Sequence, residues 1–250
     1  MTIPRPALVA VTAVAVVAGG AFTVDAVSAS RIESDLSAQL TPDTPGTGPA
    51  SVQIDGPFSR WSEPDTLSSV AVRIERVERP GLGPVAVEAV ATDVRIPADR
   101  TDPPDPAEDL TAAAVTTAVQ ITGESLGPPL GMRDVLVAAA DDPSLAGGTE
   151  NRARVSGTLG ESDIRVSAIV DLVVDADGAH LVPVTAATGP GGIPDQDTEL
   201  ALRSTALTLA PDVLPLGATV ESLTVKGGTI TATGTGAPGT ALDDLARLAN

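Results

Sequence analysis

Apolar and polar residues alternate along much of the chain, with the period of two that is typical of β-strands with one buried face. The clearest example is 70–75, which reads Val-Ala-Val-Arg-Ile-Glu. Alternation, or an enrichment in β-branched residues, recurs at 85–96, 115–122, 154–159, 164–174, 179–184, 223–225 and 229–233. The pattern therefore predicts roughly eight strands.

Short segments rich in glycine and proline separate these strands. Residues 80–84 read Pro-Gly-Leu-Gly-Pro, and Asp177-Gly178 is a dipeptide typical of a tight hairpin turn. Residues 226–228, Lys-Gly-Gly, separate the last two strands. Because consecutive strands joined by short turns pair antiparallel, we expect hairpins rather than parallel βαβ units.

Helical signals are few in the middle of the chain. Asp105, Pro106 and Glu108 occupy the cap, first-turn and capping-box positions of a helix start. Residues 110–114 fit either that helix or the strand that follows it. Further along the chain, residues 189–197 are predicted to form a loop.

The amino-terminal fifth departs from the strand pattern. Residues 7–24 are uncharged and follow a single positive charge at Arg5, and their length lies between those of a signal-peptide core and a membrane-spanning helix. Small residues at 27–29 favour cleavage. We interpret 1–29 as a signal peptide or signal anchor. The protein is then exported to the cell envelope, either released or held by 7–24 on the outer face of the cytoplasmic membrane.

The remaining chain divides into three segments. Residues 30–40 are predicted to form an amphipathic helix, with Ser30 and Glu33 spaced as a capping box. Residues 41–50, Thr-Pro-Asp-Thr-Pro-Gly-Thr-Gly-Pro-Ala, are a linker, and 51–240 form one β-rich domain. The predicted fold class is α+β and rich in β-structure, a curved antiparallel sheet of hairpins packed against the amino-terminal helix.

The charge balance narrows the choice of partners. The chain has 33 acidic and 15 basic residues and a formal net charge of -18. Such a surface repels phosphate backbones, so nucleic acid is not an expected partner. The same repulsion argues against a general attraction to anionic membranes.

The composition of the interior also follows from the sequence. There is no cysteine, and the aromatic residues are Phe22, Phe58 and Trp61. The core is therefore built from aliphatic side chains without disulfides. An aliphatic cavity would suit acyl chains, whereas a filled aliphatic core is the alternative that remains open.

One segment resembles a catalytic motif. Residues 123–127, Gly-Glu-Ser-Leu-Gly, fit the GxSxG pattern of a nucleophilic serine on a turn from strand to helix. We expect Gly127-Pro128-Pro129 to end any helix within one turn. His180, the single histidine, lies just after the predicted turn at 177–178. We therefore predict that Ser125 caps backbone groups, and that the protein is not an enzyme and carries no catalytic or metal-binding residues and no cofactor.

Three stretches of the chain resemble the LmeA-like phospholipid-binding family, secreted or membrane-anchored proteins of the actinobacterial cell envelope. They are Ile54 to Phe58, which reads Ile-Asp-Gly-Pro-Phe, the central segment Ala153 to Val184, and the segment Leu214 to Gly236. The family usually continues the Pro-Phe pair with Leu-Thr, whereas Ser59-Arg60-Trp61 follows here. The resemblance implies a tubular lipid-binding fold that holds phospholipid in an aliphatic groove, without known catalysis.

The resemblance also suggests residues that contact lipid. Phe58 and Trp61 are candidates for the groove mouth, and Leu214 and Leu216 for its rim or wall; core packing is the alternative for all four. The leading hypothesis is an exported, non-catalytic phospholipid-binding protein that meets the membrane surface. The alternatives are a structural or interaction module without ligand, and a secreted esterase using Ser125.

Overall fold

The structure is a computed structural model that describes residues 33–34, 37–38, 48–55, 66–95, 111–140, 151–160, 162–188, 192–237 and 239. This part of the chain contains eleven strands and two eight-residue helices. The strands are β1 (Ala50–Asp55), β2 (Thr66–Val77), β3 (Val85–Arg95), β4 (Thr111–Ile121), β5 (Met132–Ala139), β6 (Arg152–Leu159), β7 (Arg165–Asp175), β8 (Gly178–Ala186), β9 (Leu207–Thr208), β10 (Ser222–Lys226) and β11 (Thr229–Thr235). The helices are α1 (Gly123–Leu130) and α2 (Thr198–Thr205).

The strands form two antiparallel sheets. The six-stranded sheet has the order β1-β2-β3-β4-β11-β10, and the five-stranded sheet has the order β5-β6-β7-β8-β9. Helix α1 connects β4 of the first sheet to β5 of the second. The last hairpin, β10-β11, returns to the first sheet and contacts β5, β6 and β7. The two sheets therefore meet around this hairpin.

Each sheet has one apolar face that turns inward. One cross-strand row of the six-stranded sheet holds Ile74, Val87, Val119 and Ala232, all fully buried. A row of the five-stranded sheet holds Val137, Val155 and Ala168, which are also buried. Because side chains alternate between the two faces of a strand, the period-two pattern places these residues on one side. The inner faces contribute to one aliphatic core.

Irregular pairing occurs in three strand pairs, β2-β3, β5-β6 and β7-β8, and two of these irregularities are bulges with a residue at positive φ. Arg76 in β2 and Asp134 in β5 have positive φ values of 60° and 53°, and the strand register shifts at both positions. An extra residue on one strand increases local twist and curvature. The predicted β-rich fold of curved antiparallel hairpins is thus confirmed, although the strands divide between two sheets and exceed the predicted number.

The structure decides one alternative that the sequence left open and adds two elements that the sequence did not predict. Residues 111–114 belong to β4 and not to a helix, because they pair with 92–95 of β3. Strand β5 and helix α2 were not predicted: β5 lacks clean alternation because of its bulge, and α2 has only eight residues. The predicted helix start at 105–108 lies outside the described residues.

The predicted helix over 30–40 also lies mostly outside them. Of its residues, 33–34 and 37–38 are described and are helical. Glu33 Oε1 accepts a hydrogen bond of 2.9 Å from Ile54 N, and Ser37 Oγ donates to Ala50 O. Both side chains thus occupy the outer edge of β1, which is the first strand of the six-stranded sheet among the described residues.

Candidate functional site

The interior of the six-stranded sheet contains a row of small side chains. Ala89, Thr117 and Gly234 lie side by side on β3, β4 and β11. A Cβ at Gly234 would lie 1.9 Å from Thr219 O and 2.7 Å from Leu214 Cδ1. The segment around Leu214 therefore lies directly against this part of the sheet. The buried Thr117 Oγ1 has no hydrogen-bond partner within the described structure.

Of the four residues suggested for lipid contact, Leu214 lies beside this row and Leu216 follows two residues later in the same segment. Leu214 is buried, with 2 % of its surface exposed, and it fills the space above Gly234. Leu216 is partly buried against the core and has a φ of 59°, in the left-handed region. Phe58 and Trp61 lie outside the described residues. Lipid contact by all four therefore stays a prediction.

Ser125 belongs to the cap of α1 and not to a nucleophile site. Its side chain is fully buried. Its Oγ donates a 2.6 Å hydrogen bond to Pro84 O and accepts one of 3.1 Å from Thr122 N. The predicted capping role is confirmed, because both of these partners are backbone groups.

The expectation that two prolines would end this helix within one turn is wrong. Pro128 and Pro129 both lie inside α1, which runs to Leu130 and ends at Gly131 in the left-handed conformation. Pro129 lacks the N–H that would pair with Ser125 O. Gly83 N supplies that hydrogen bond instead, at 2.8 Å. A backbone donor from the β2–β3 turn thus compensates for the proline.

His180 is not placed to activate Ser125. It lies on β8, where Nδ1 is 3.1 Å from Thr208 Oγ1 and Nε2 is 3.4 Å from Asp175 Oδ1. Ser125 lies on α1, and its hydrogen bonds go to other groups. The geometry therefore offers no support for the esterase hypothesis.

An open groove runs between α1, the start of β5 and the β6–β7 turn. Its volume is about 610 Å³, and its lining includes Gly123, Gly127, Gly131 and Gly160. A Cβ at Gly123 would lie 1.9 Å from Val135 O, so the helix approaches β5 as closely as a residue without a side chain permits. The size is in the range of small-ligand sites, and the lining combines four glycines and the apolar Pro128, Met132 and Val135 with three charged residues, Glu124, Arg133 and Asp134.

The arginines of β2 and the following turn differ in their surroundings. Arg73 pairs with Glu75 at 3.4 Å and Glu88 at 3.9 Å, and Arg76 pairs with Glu124 at 3.3 Å. The acidic and basic side chains on this part of the surface therefore neutralise one another. Arg79 is half-buried, and burial lowers the pKa of its guanidinium while the charge of Asp212 opposes that shift.

The described residues contain no helix that has both the length and the apolar character needed to cross a bilayer. The apolar segment 7–24 is outside them. The site features thus reduce to two apolar sheet faces, a buried leucine segment and a serine that serves as a cap. These features define a β-rich protein with an aliphatic interior.

Comparison with known families identifies this class more closely. The sequence model of the LmeA-like phospholipid-binding family matches residues 19–235, which is most of the chain. The chain belongs to that family. No curated protein and no solved structure matches it.

Proposed function

We propose that this chain is an exported, non-catalytic phospholipid-binding protein of the cell envelope. In this proposal it holds acyl chains against the aliphatic inner faces of its sheets, and residues 7–24 direct export or anchor it to the membrane. The family match over 19–235 is the observation that carries the proposal.

The composition of the interior supports acyl chains as the bound group. The core residues are valine, leucine, isoleucine and alanine with one methionine, and the polar Thr117 Oγ1 among them lacks a partner in the described part. Each buried methylene of an acyl chain contributes about 0.8 kcal/mol, so affinity can arise without polar recognition. Weak selection among headgroups follows from that mode of binding.

One observation favours a second candidate, a structural or interaction module without ligand. Leu214 fills the space beside Gly234, and the inner faces are buried throughout the described strands. If acyl chains enter the interior, the segment that carries Leu214 and Leu216 has to move away from the sheet. The two candidates therefore differ in whether this segment is displaced when lipid is present.

The decisive test is lipid extraction from the purified full-length chain, followed by mass spectrometry. Phospholipid in near-stoichiometric amount is expected. Leu216→Gln should lower the amount of bound lipid several-fold, whereas Leu207→Gln, a matched change at another partly buried leucine, should leave it unchanged. Circular dichroism and thermal melting verify that both variants fold. Repeated absence of phospholipid, together with no uptake from added vesicles, would favour the structural module.

A further inference from the structure

The outer face of the five-stranded sheet combines arginines with exposed aliphatic side chains. Directly paired residues of antiparallel strands share a face, so the register gives the arrangement. One row is Arg133, Thr158 and Arg165; the next is Leu136, Ser156 and Ser167; then follow Ala138, Arg154, Ile169 and Thr185; and the last is Arg152, Asp171 and Val182. We call these four rows the basic face.

Two large aliphatic members of the basic face are open to solvent, and a third, Ile169, is partly exposed. Leu136 is 63 % exposed and Val182 is 43 % exposed. Val184, in the irregular part of β8 beside this face, is 47 % exposed. Together with Ile164, which directly precedes β7, these three are the large hydrophobic residues that are exposed in the described part of the chain, so these residues concentrate on the five-stranded sheet.

The charges of the basic face contrast with those of the whole chain. Four of the 15 basic residues lie here, although the chain carries 33 acidic ones. Arg152 pairs with Asp171, the one carboxylate in the four rows, and Arg133 pairs with Asp163 in the adjoining turn. Asp134, in the bulge of β5, is a further acid at this border.

The two remaining arginines are not neutralised. Within the described ranges, neither Arg154 nor Arg165 has an ion-pair partner. Arg154 Nε and Ser167 Oγ also lack a hydrogen-bond partner, but both atoms are buried and do not reach the surface. Arg165 is exposed and Arg154 is partly exposed. Guanidinium groups bind the phosphate oxygens of a lipid headgroup in a bidentate manner, so these two arginines supply the charge that matches a headgroup.

We propose that the basic face docks on the surface of anionic phospholipid bilayers. The arginines contact headgroup phosphates while Leu136 and Val182 enter the boundary between headgroups and acyl chains. The acidic remainder of the protein is repelled by the same bilayer, so the charge asymmetry orients the molecule. This inference rests on the proposed lipid-binding function and adds the surface through which the protein meets its lipid.

The absence of cysteine allows a direct test on the full-length chain. Leu136→Cys and Thr116→Cys each place one thiol at an exposed position, on the basic face and on the outer face of the six-stranded sheet, respectively. Each variant is labelled with an environment-sensitive fluorophore and mixed with vesicles that carry a quencher on the acyl chains. The readout is the depth of the label, so attachment through the amino-terminal segment does not by itself give a positive result.

Quenching is expected at position 136 with vesicles of phosphatidylcholine and phosphatidylglycerol, and it should be much weaker with phosphatidylcholine alone. Position 116 should stay unquenched with both. Adding Arg154→Gln and Arg165→Gln should reduce quenching at 136 about tenfold. Adding Arg73→Gln and Arg76→Gln, which removes the same charge from the other sheet, should leave it unchanged.

Three results would overturn the proposal: an unquenched label at 136, equal quenching at 116 and 136, or an equal effect of the two double substitutions. Lipid extraction distinguishes these failures from a failure of the proposed function. Bound phospholipid without quenching at 136 rejects the docking face alone. Quenching at 136 without extractable phospholipid supports docking and rejects the interior lipid site.

Discussion

The outer faces of the two sheets differ more than their inner faces do. On the six-stranded sheet, one outer row reads Ser51, Arg73, Glu88, Ala118, Thr233 and Ser222, and its single arginine is paired with acids. On the five-stranded sheet, the basic face carries four arginines among exposed aliphatic residues. The net charge of -18 for the whole chain therefore does not represent the local charge of either outer face.

The difference shows that a net charge does not by itself describe how one face of the protein meets a charged surface. Electrostatic attraction depends on the charges within about a Debye length, roughly 8 Å at physiological ionic strength, and not on the sum over the chain. The period of two places Arg152 and Arg154 on the same face of β6. Neighbouring strands then add Arg133 and Arg165.

The largest expected effect concerns the connection between the two sheets. In Gly123→Ala the new Cβ would lie 1.9 Å from Val135 O, so either α1 or β5 must move. We expect a loss of about 3 kcal/mol in the free energy of unfolding, measured by urea denaturation. Gly160→Ala is the matched control, since its Cβ would lie 3.4 Å from Gly131 O. A loss of similar size in both variants would contradict this interpretation.

The next effect separates the inner from the outer face of one strand. Val87 of β3 is fully buried, whereas Val90 of the same strand lies on the outer face and is partly exposed. Val87→Ala should cost about 2 kcal/mol of stability, and Val90→Ala well under half of that. Equal losses in thermal or urea unfolding would show that the outer face of the six-stranded sheet is covered.

A smaller effect is expected at the cap of α1. Ser125→Ala removes the hydrogen bond to Pro84 O and the acceptor for Thr122 N, at a cost of about 1 kcal/mol. Ser68→Ala, at an exposed serine of β2, should change stability little. Ser125→Ala should retain bound phospholipid in full. Loss of an ester hydrolysis activity in this variant and in His180→Ala would instead support a catalytic role.

The smallest effect should occur on the basic face itself. Arg154→Gln and Arg165→Gln should each change the free energy of unfolding by less than about 0.5 kcal/mol, because neither arginine has an ion pair in the described structure. Arg73→Gln, which removes contacts to Glu75, Glu88 and Gln120, should cost about 0.5 kcal/mol. A clear loss of stability at Arg154 would indicate a structural role in place of docking.

Most of the strands were predictable because their inner and outer residues alternate without interruption. Strand β11 is the simplest case. The hairpin predicted at Asp177-Gly178 is present, but Ala176 and Asp177 form its turn and Gly178 already pairs with Asp175. Strand β5 was missed because Asp134 adds a residue and places Val135 out of phase with Met132. Helix α2 was missed because it is short, although Asp197 caps it by accepting a hydrogen bond from Leu200 N.

The candidate site was less predictable, because its features depend on contacts between distant residues. Leu214 lies against Gly234, and Gly83 supplies the donor that allows Pro129 inside α1. Neither contact has a local pattern in the sequence. The arginines at 152 and 154 did have one, since they lie two residues apart in a strand, and attention to that spacing would have indicated a basic face.

By itself, the sequence determined the aliphatic interior, the antiparallel hairpins, the capping role of Ser125 and the family, because each depends on residue type or on local spacing. The tertiary structure alone decided that the strands divide between two sheets and that a leucine segment fills the space beside Gly234. It also brought four arginines from three strands onto one surface. Strand order and register set these relations, and they arise from pairing between segments that are far apart in the chain.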